Sequence, residues 1–405
     1  MIPFSPPHID QEIIDEVTAA LKSGWITTGP RTKQFEKDLS AYNGNPNTLC
    51  LNSATAGLEI VLRWFGVGPG DEVIVPAYTY SATANVVMHT GARPVFCDVK
   101  MDDFNINPSC VEHLITEKTK VIMPVDFGGM PCDFDALNAL VRRDDIRARF
   151  QAKGEVQEKL GRLLILSDAA HSIGARYKGK MTGSLTDVSV FSFHAVKNLT
   201  TAEGGAVALN LPEPFDNKAI YDYLCIATLH GQNKDALAKM QKGNWKYDII
   251  EPGYKCNMTD IMAAICLVEL RRYESMTLPR RKQIFDRYQA VLSQYSWAQL
   301  APYETAEKTS SYHLFPLRIK GIKEEQRDAI MQKIFDKDVS VNVHFIPVPM
   351  MKYYRELGYS IANYPVTYDN FSREISLPVF LDLTDAQVEE VLNAVISAVE
   401  TTLNA

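Results

Sequence analysis

Seven short apolar runs recur between residues 48 and 209: Thr48–Leu51, Val73–Val75, Pro94–Val99, Lys120–Val125, Leu163–Leu166, Val188–Phe193 and Ala206–Leu209. Helical stretches alternate with them. Runs that are continuously apolar, rather than alternating, suit strands buried on both faces, and strands joined through helices run parallel. The sequence therefore predicts an α/β fold, a mostly parallel sheet covered by helices. At 405 residues the chain is too long for one small domain, so a second, smaller one is expected around a shared cleft.

The flanking signals fill in the organisation. Asp10 caps a helix that carries Ile13, Ile14, Val17 and Leu21 on one face and stops at Gly24. Thr259 caps a long helix reaching about residue 277, after which the pattern changes. The boundary is placed near 275–285, giving a large domain over 1–280 and a small one over 281–405. The small domain reads as α+β, with strands at Leu314–Ile319 and Val339–Val343, a helix at Glu324–Phe335 and a final helix capped by Thr384. A charged stretch between Arg142 and Arg162 interrupts the rhythm and reads as a solvated surface helix or an insertion.

Charge narrows the functions available. The net charge of -7 is spread along the chain, with no Lys/Arg run that tracks a phosphate backbone, which argues against nucleic acid. The N-terminus has neither a basic start nor a signal-length apolar stretch, and no segment approaches bilayer length, so no membrane association and a cytoplasmic location are expected. The seven cysteines, Cys50, Cys97, Cys110, Cys132, Cys225, Cys256 and Cys266, are scattered, without the close pairs of zinc sites. Reduced, partly buried thiols and no metal are expected.

Four strand ends carry polar groups in one order along the chain. Leu51-Asn-Ser-Ala-Thr-Ala-Gly-Leu58 sets small residues between a strand and a helix, where backbone N–H groups of Thr55 and Ala56 can meet an anion. Pro76-Ala-Tyr-Thr-Tyr-Ser81 supplies Tyr80 for stacking on a ring. Ile165-Leu-Ser-Asp-Ala-Ala-His171 places Asp168 and His171 beyond a strand, where open α/β sheets bind ligands. Val190-Phe-Ser-Phe-His-Ala-Val-Lys197 brings Ser192 and, among apolar neighbours, a lysine suited to nucleophilic work once its proton is lost. Taken singly each has a plainer role: Asp168 or the 53–55 segment as a helix cap, Lys197 as a surface lysine, Tyr80 as a core tyrosine. Together they form a cradle, a stacking ring, a carboxylate and an amine.

These motifs, with Ser23-Gly-Trp-Ile-Thr-Thr-Gly-Pro30, Ala202-Glu-Gly-Gly205 and Gly253-Tyr-Lys-Cys-Asn-Met-Thr-Asp260, resemble the DegT-type sugar-nucleotide aminotransferases over nearly the whole chain. The resemblance implies the type-I aminotransferase fold with pyridoxal 5'-phosphate (PLP) and a homodimer whose active sites are shared. Lys197 would be the Schiff-base lysine, and Asp168 the partner of the pyridine nitrogen. Thr55, Ala56 and Ser192 would hold the phosphate, with Tyr80 and His171 on either side of the ring. Many members have Gly-Tyr-Asn where this chain has Gly253-Tyr254-Lys255, so the phosphate contact from the partner subunit falls to Lys255 or Asn257. Trp25 and His344 would face the substrate, with Pro349 standing where members often have a second His. The implied reaction takes glutamate as donor and a nucleotide-linked keto sugar, a 4-keto-6-deoxyhexose, as acceptor, for lipopolysaccharide or a related glycan. A PLP-dependent sugar dehydratase of the same fold and a non-catalytic relative are the alternatives. The dehydratases carry His at the lysine position, against Lys197 here.

Overall fold

The computed structural model describes residues 1–234 and 246–404. Its strands, in chain order, are β1 (Asn47–Leu51), β2 (Glu72–Pro76), β3 (Arg93–Cys97), β4 (Thr119–Ile122), β5 (Leu164–Asp168), β6 (Arg176–Tyr177), β7 (Lys180–Met181), β8 (Val188–Ser192), β9 (Gly205–Leu209), β10 (Ala298–Leu300), β11 (Lys308–Thr309), β12 (Phe315–Ile319) and β13 (Glu374–Leu377). All seven runs expected as strands between residues 48 and 209 join one sheet, ordered β1-β9-β8-β5-β4-β2-β3. From β3 to β8 neighbours pair in parallel, whereas β9 runs against both β8 and β1.

The central strands are mostly apolar because both faces are covered. Val73 and Val75 pack in one core with Leu164, Leu166, Val188 and Val190, while the intervening Ile74 and Ile165 turn to a second core with Ile122 and Leu137. This is the two-residue alternation of a strand with no wet face. Each such side chain contributes ~1.5–3 kcal/mol on burial, so the sheet is a rigid platform for its loops.

A smaller antiparallel sheet, β10-β12-β13, lies with the helices Glu324–Phe335 and Asp385–Leu403. A third joins β11, β6 and β7, so residues 308–309 pair with residues 176–177. One core also runs across the chain, gathering Phe35, Phe191 and Phe193 with Leu317, Ile375 and Val395. We propose the division into 1–280 and 281–405 on this arrangement. The proposed boundary falls within continuous helix: Asp260–Arg272 leads through a π-helical turn, Tyr273–Thr277, into Leu278–Leu292.

Three local expectations change. Asp10 does cap Gln11–Lys22 by accepting from the Ile13 N–H, but Ile14 and Leu21 face out and the buried residues are Ile13 and Ala20. The Val339–Val343 segment makes isolated bridges, Ile2 with Val339 and Asn342 with Ser376, instead of a strand, and β13 takes the place beside β12. The charged stretch forms two short helices, Asp144–Arg147 and Glu155–Leu160, and it is pinned as well as solvated. Ile146 enters the core, and Gln157 donates to the Phe65 carbonyl at 2.8 Å. The Thr259 and Thr384 caps form as expected. All seven cysteines are free thiols, and no helix among the described residues is long and apolar enough to cross a membrane.

Candidate active site

A cavity of about 440 Å³ opens at the carboxyl ends of the parallel strands. That lies within the ~300–1,000 Å³ common for small-molecule sites. Thr55, Tyr80, Asp168, His171, Ser192, Lys197 and His344 all line it. Asp168 and Ser192 are the last residues of β5 and β8, so the sheet itself fixes their spacing.

Asp168 is buried, and its carboxylate is held from two sides. Thr83 donates to Oδ2 at 2.8 Å, and the Ala170 N–H donates to Oδ1 at 3.3 Å. Burial pushes its pKa up, opposed by these donors and by the Lys197 charge. A carboxylate so placed has unused acceptor capacity toward the cavity and suits a cationic ring N–H there.

Lys197 sits in the loop between β8 and β9, where its backbone N–H donates to the His194 carbonyl at 2.8 Å. No side-chain hydrogen bond ties its amine among the described residues, and desolvation lowers its pKa to about 8, against the pull of Asp168. An amine in this state loses its proton readily and is a competent nucleophile or proton carrier.

The anion cradle is a helix start. Ser53 caps Ala54–Trp64 by accepting from the Ala56 N–H at 3.1 Å, so Ala56 donates inside the cap while Thr55 lines the cavity. β9 passes so close that a Cβ on Gly205 would stand 2.3 Å from the Ala54 nitrogen. Glycine is what lets the strand approach the helix start. The helix start, the buried Asp168 and the half-buried Lys197 fit PLP, which would set its phosphate at the helix start and its pyridine nitrogen at Asp168.

His171 is buried and accepts from the Gly128 N–H through Nδ1 at 3.3 Å, which leaves Nε2 to carry the proton of the neutral ring. Burial, then the charges of Lys197 and His344, holds its pKa well below 6.5. Tyr80, 61% exposed, stands at the mouth with its ring 5.8 Å from that of Phe345.

Some lining residues carried no sequence signal. His313 lies 4.4 Å from His171, ring to ring, and its Nδ1 meets Asn198 Oδ1 at 2.8 Å. Asn198 Nδ2 donates to the Ser311 carbonyl, which fixes its amide orientation and so the His313 tautomer. Phe4 and Phe345 also reach the cavity from distant parts of the chain. Thr83, which holds Asp168 without lining the cavity, follows the Tyr80 segment in the first turn of Ser81–His89.

Other expected site residues lie outside this cavity. Trp25 is half-buried elsewhere, and Pro349 is buried in a short 3-10 turn, Val348–Met350. Lys255 donates to Asn257 Oδ1, and Asn257 Nδ2 donates to Thr28 Oγ1 at 2.6 Å. The backbone of this segment bridges to β1 at Leu51 and continues into the Thr259-capped helix.

With this geometry in place, comparison with known proteins gives a consistent answer. Residues 7–396 match the model of the DegT/DnrJ/EryC1/StrS aminotransferase family. The chain is similar to the spore coat polysaccharide biosynthesis protein SpsC of Bacillus subtilis (strain 168), 37% identical over 97% of this chain and 96% of that protein. Among solved structures it resembles Spr1654 from Streptococcus pneumoniae, described there as a sugar aminotransferase and determined in PMP-form, with 46% identity, a TM-score of 0.95 and coverage of 99% of this chain and 100% of that one. Helicobacter pylori PseC, an aminotransferase involved in the biosynthesis of pseudoaminic acid, follows at 26% identity and a TM-score of 0.86 over 99% of both chains. The chain belongs to the DegT/DnrJ/EryC1/StrS aminotransferase family. It is a PLP-dependent aminotransferase of type-I fold.

Proposed function

We propose that this enzyme moves an amino group from glutamate onto a nucleotide-linked keto sugar, a 4-keto-6-deoxyhexose, to make an amino sugar for cell-surface polysaccharide or a related glycan. The observation that carries the reading is the shared cavity of Lys197 and Asp168, an amine of lowered pKa and a buried carboxylate at neighbouring strand ends. The polysaccharide and sugar relatives supply its direction. The cytoplasm is its proposed location.

Bound PLP supplies an electron sink for charge developing on carbon beside the amino group. Thr55 and Ser192, which line the cavity, would hold its phosphate at the start of Ala54–Trp64, where the Ala56 N–H is already engaged by the Ser53 cap, and Asp168 would hold its ring nitrogen in the protonated state. His171 and Tyr80, which both line the cavity, would flank the ring. Lys197, whose amine lines the cavity, would hold the cofactor through Nζ and, when that amine is free, would move a proton between the donor α-carbon and the acceptor position. The same amine serves both half-reactions, so its pKa near neutrality matters in each direction. His344 would face the sugar from the cavity wall, while Trp25, Lys255 and Asn257, which lie outside this cavity, would serve the partner subunit's site in a homodimer, Lys255 or Asn257 at the cofactor phosphate.

The test is incubation of the purified enzyme with glutamate and a panel of dTDP-, UDP- and GDP-linked 3-keto and 4-keto sugars, with mass detection of the amino product. Amination of a 4-keto-6-deoxy member supports the reading. Amination confined to 3-keto members, or to non-nucleotide ketones, overturns it.

A further inference from the structure

His344 is held on the cavity wall between two aromatic rings. Phe4 stacks on it at 5.3 Å and 26°, and Phe345 meets it edge-on at 5.1 Å and 85°. A ring clamped in this way keeps its two nitrogens in separate surroundings. Nδ1 lies 2.9 Å from Ser376 Oγ, and Ser376 donates its hydroxyl to Glu374 Oε1 at 2.5 Å. Glu374 Oε2 in turn accepts from the His344 backbone N–H at 3.0 Å. Glu374 and Ser376 are two apart in β13 and leave the same face, and the Asn342–Ser376 bridge holds the His344 loop beside that strand.

Glu374 is fully buried. Arg327 from the helix Glu324–Phe335, Arg318 from β12 and Tyr78 beyond β2 face it, while Lys197, His171 and His313 face His344. Arg327 donates to the Phe371 and Glu374 carbonyls, and Arg318 to Asn370 Oδ1 and the Asp102 carbonyl. Neither makes an ion pair with the Glu374 carboxylate among the described residues.

We propose that Ser376 and Glu374 are positioning residues that pass a proton between the cavity face of His344 and a buried carboxylate, and so decide whether His344 Nε2 offers the substrate a donor or an acceptor. The link to specificity rests on His344 facing the sugar, as proposed above. The relay itself rests on the hydrogen-bond chain alone.

The protons balance in two states. With Glu374 ionised, Ser376 donates to the carboxylate and His344 Nδ1–H donates to Ser376, which leaves Nε2 as a bare acceptor. A proton arriving at Nε2 moves the Nδ1 proton to Ser376 and the Ser376 proton to Glu374. The chain is then reversed: Glu374 donates to Ser376, Ser376 donates to Nδ1, and Nε2–H is a donor. Burial pushes Glu374 up to about 8, against its hydrogen bonds and the two arginines, whereas burial and Lys197 hold His344 down to about 3. The imidazole therefore stays neutral while its tautomer follows Glu374. Below about pH 8 the donor form suits a keto or hydroxyl oxygen, and above it the acceptor form suits a hydroxyl alone.

The deciding experiment records ¹⁵N spectra of histidine-labelled holoenzyme between about pH 6 and about pH 10, spanning the range in which the relay titrates. A His344→Gln spectrum identifies the resonance. The parent should change from Nε2–H to Nδ1–H as pH rises. Glu374→Gln should stay Nε2–H throughout, because its amide oxygen replaces the acceptor for the His344 N–H and its NH₂ donates to Ser376. Ser376→Ala should lose the coupled change. A parent ring fixed in one tautomer, or a Glu374→Gln protein that changes as the parent does, overturns the relay. In parallel, the keto-sugar KM of the parent should rise about tenfold above pH 8, the scale of one lost hydrogen bond, and stay flat in Glu374→Gln. Equal KM profiles in both proteins overturn the specificity role. Failure to aminate any keto sugar would sink the functional reading and leave the tautomer spectra to judge the relay.

Discussion

Thr83 donates its hydroxyl to Asp168 Oδ2 at 2.8 Å, tying the first turn of the helix Ser81–His89 to the last residue of β5. A hydrogen bond to a charged acceptor contributes ~1.5–3 kcal/mol, and this one favours the ionised carboxylate against burial. Thr83→Val removes it with little change of volume. Turnover should fall roughly tenfold, and because the Asp168 pKa is already raised, the loss should deepen as pH falls. A pH profile superimposable on the parent's would show that Thr83 does not support Asp168.

Asp168→Asn keeps the shape and removes the charge that holds a ring nitrogen protonated. Turnover should drop by at least ~100-fold, the scale of one well-placed electrostatic partner. Turnover within a few fold of the parent would refute the assignment.

Lys197→Ala should fold normally, since its amine makes no side-chain hydrogen bond among the described residues. It should lose the visible band of bound PLP and the borohydride-stable attachment of the parent. In the parent, the rate of covalent PLP capture should rise with pH up to about 8, where the amine loses its proton, and level above it. A reducible adduct at the same site in the mutant would contradict the role.

Gly205→Ala tests the cradle. Its new Cβ would stand 2.4 Å from the Ser53 carbonyl carbon as well as against Ala54, both backbone atoms that cannot swing aside. The expected cost is ~1–3 kcal/mol of stability, with weaker PLP binding as the helix start shifts. Calorimetry and a PLP titration read the two effects separately, and no change in either would mean that the close approach is unimportant.

The proposed shared site predicts complementation. Lys197→Ala and the double variant Lys255→Ala with Asn257→Ala should each be inactive alone. In mixed dimers one site would pair an intact Lys197 with an intact loop, so up to about half of the hybrid sites should work under a two-fold arrangement. Full activity of the loop variant alone, or dead hybrids, would remove the partner contact.

What the sequence determined by itself was the sheet and the chemistry at its strand ends. The apolar runs are continuous because the strands are buried on both faces, and Asp168 and Ser192 end strands while Thr55 opens a helix by local rules of chain geometry. Tertiary structure alone decided what closes over them. His313, Phe4 and Phe345 reach the cavity through packing of segments more than a hundred residues from Asp168 and Ser192, and no local spacing encodes that. The Val339–Val343 run has strand composition, yet β13 occupies the edge of β12, because pairing there also buries Ile375 and Leu377 in the core. Ile14 and Leu21 have helical periodicity but stay exposed among the described residues. Periodicity states which residues share a face, and only the assembled surfaces decide whether that face is buried.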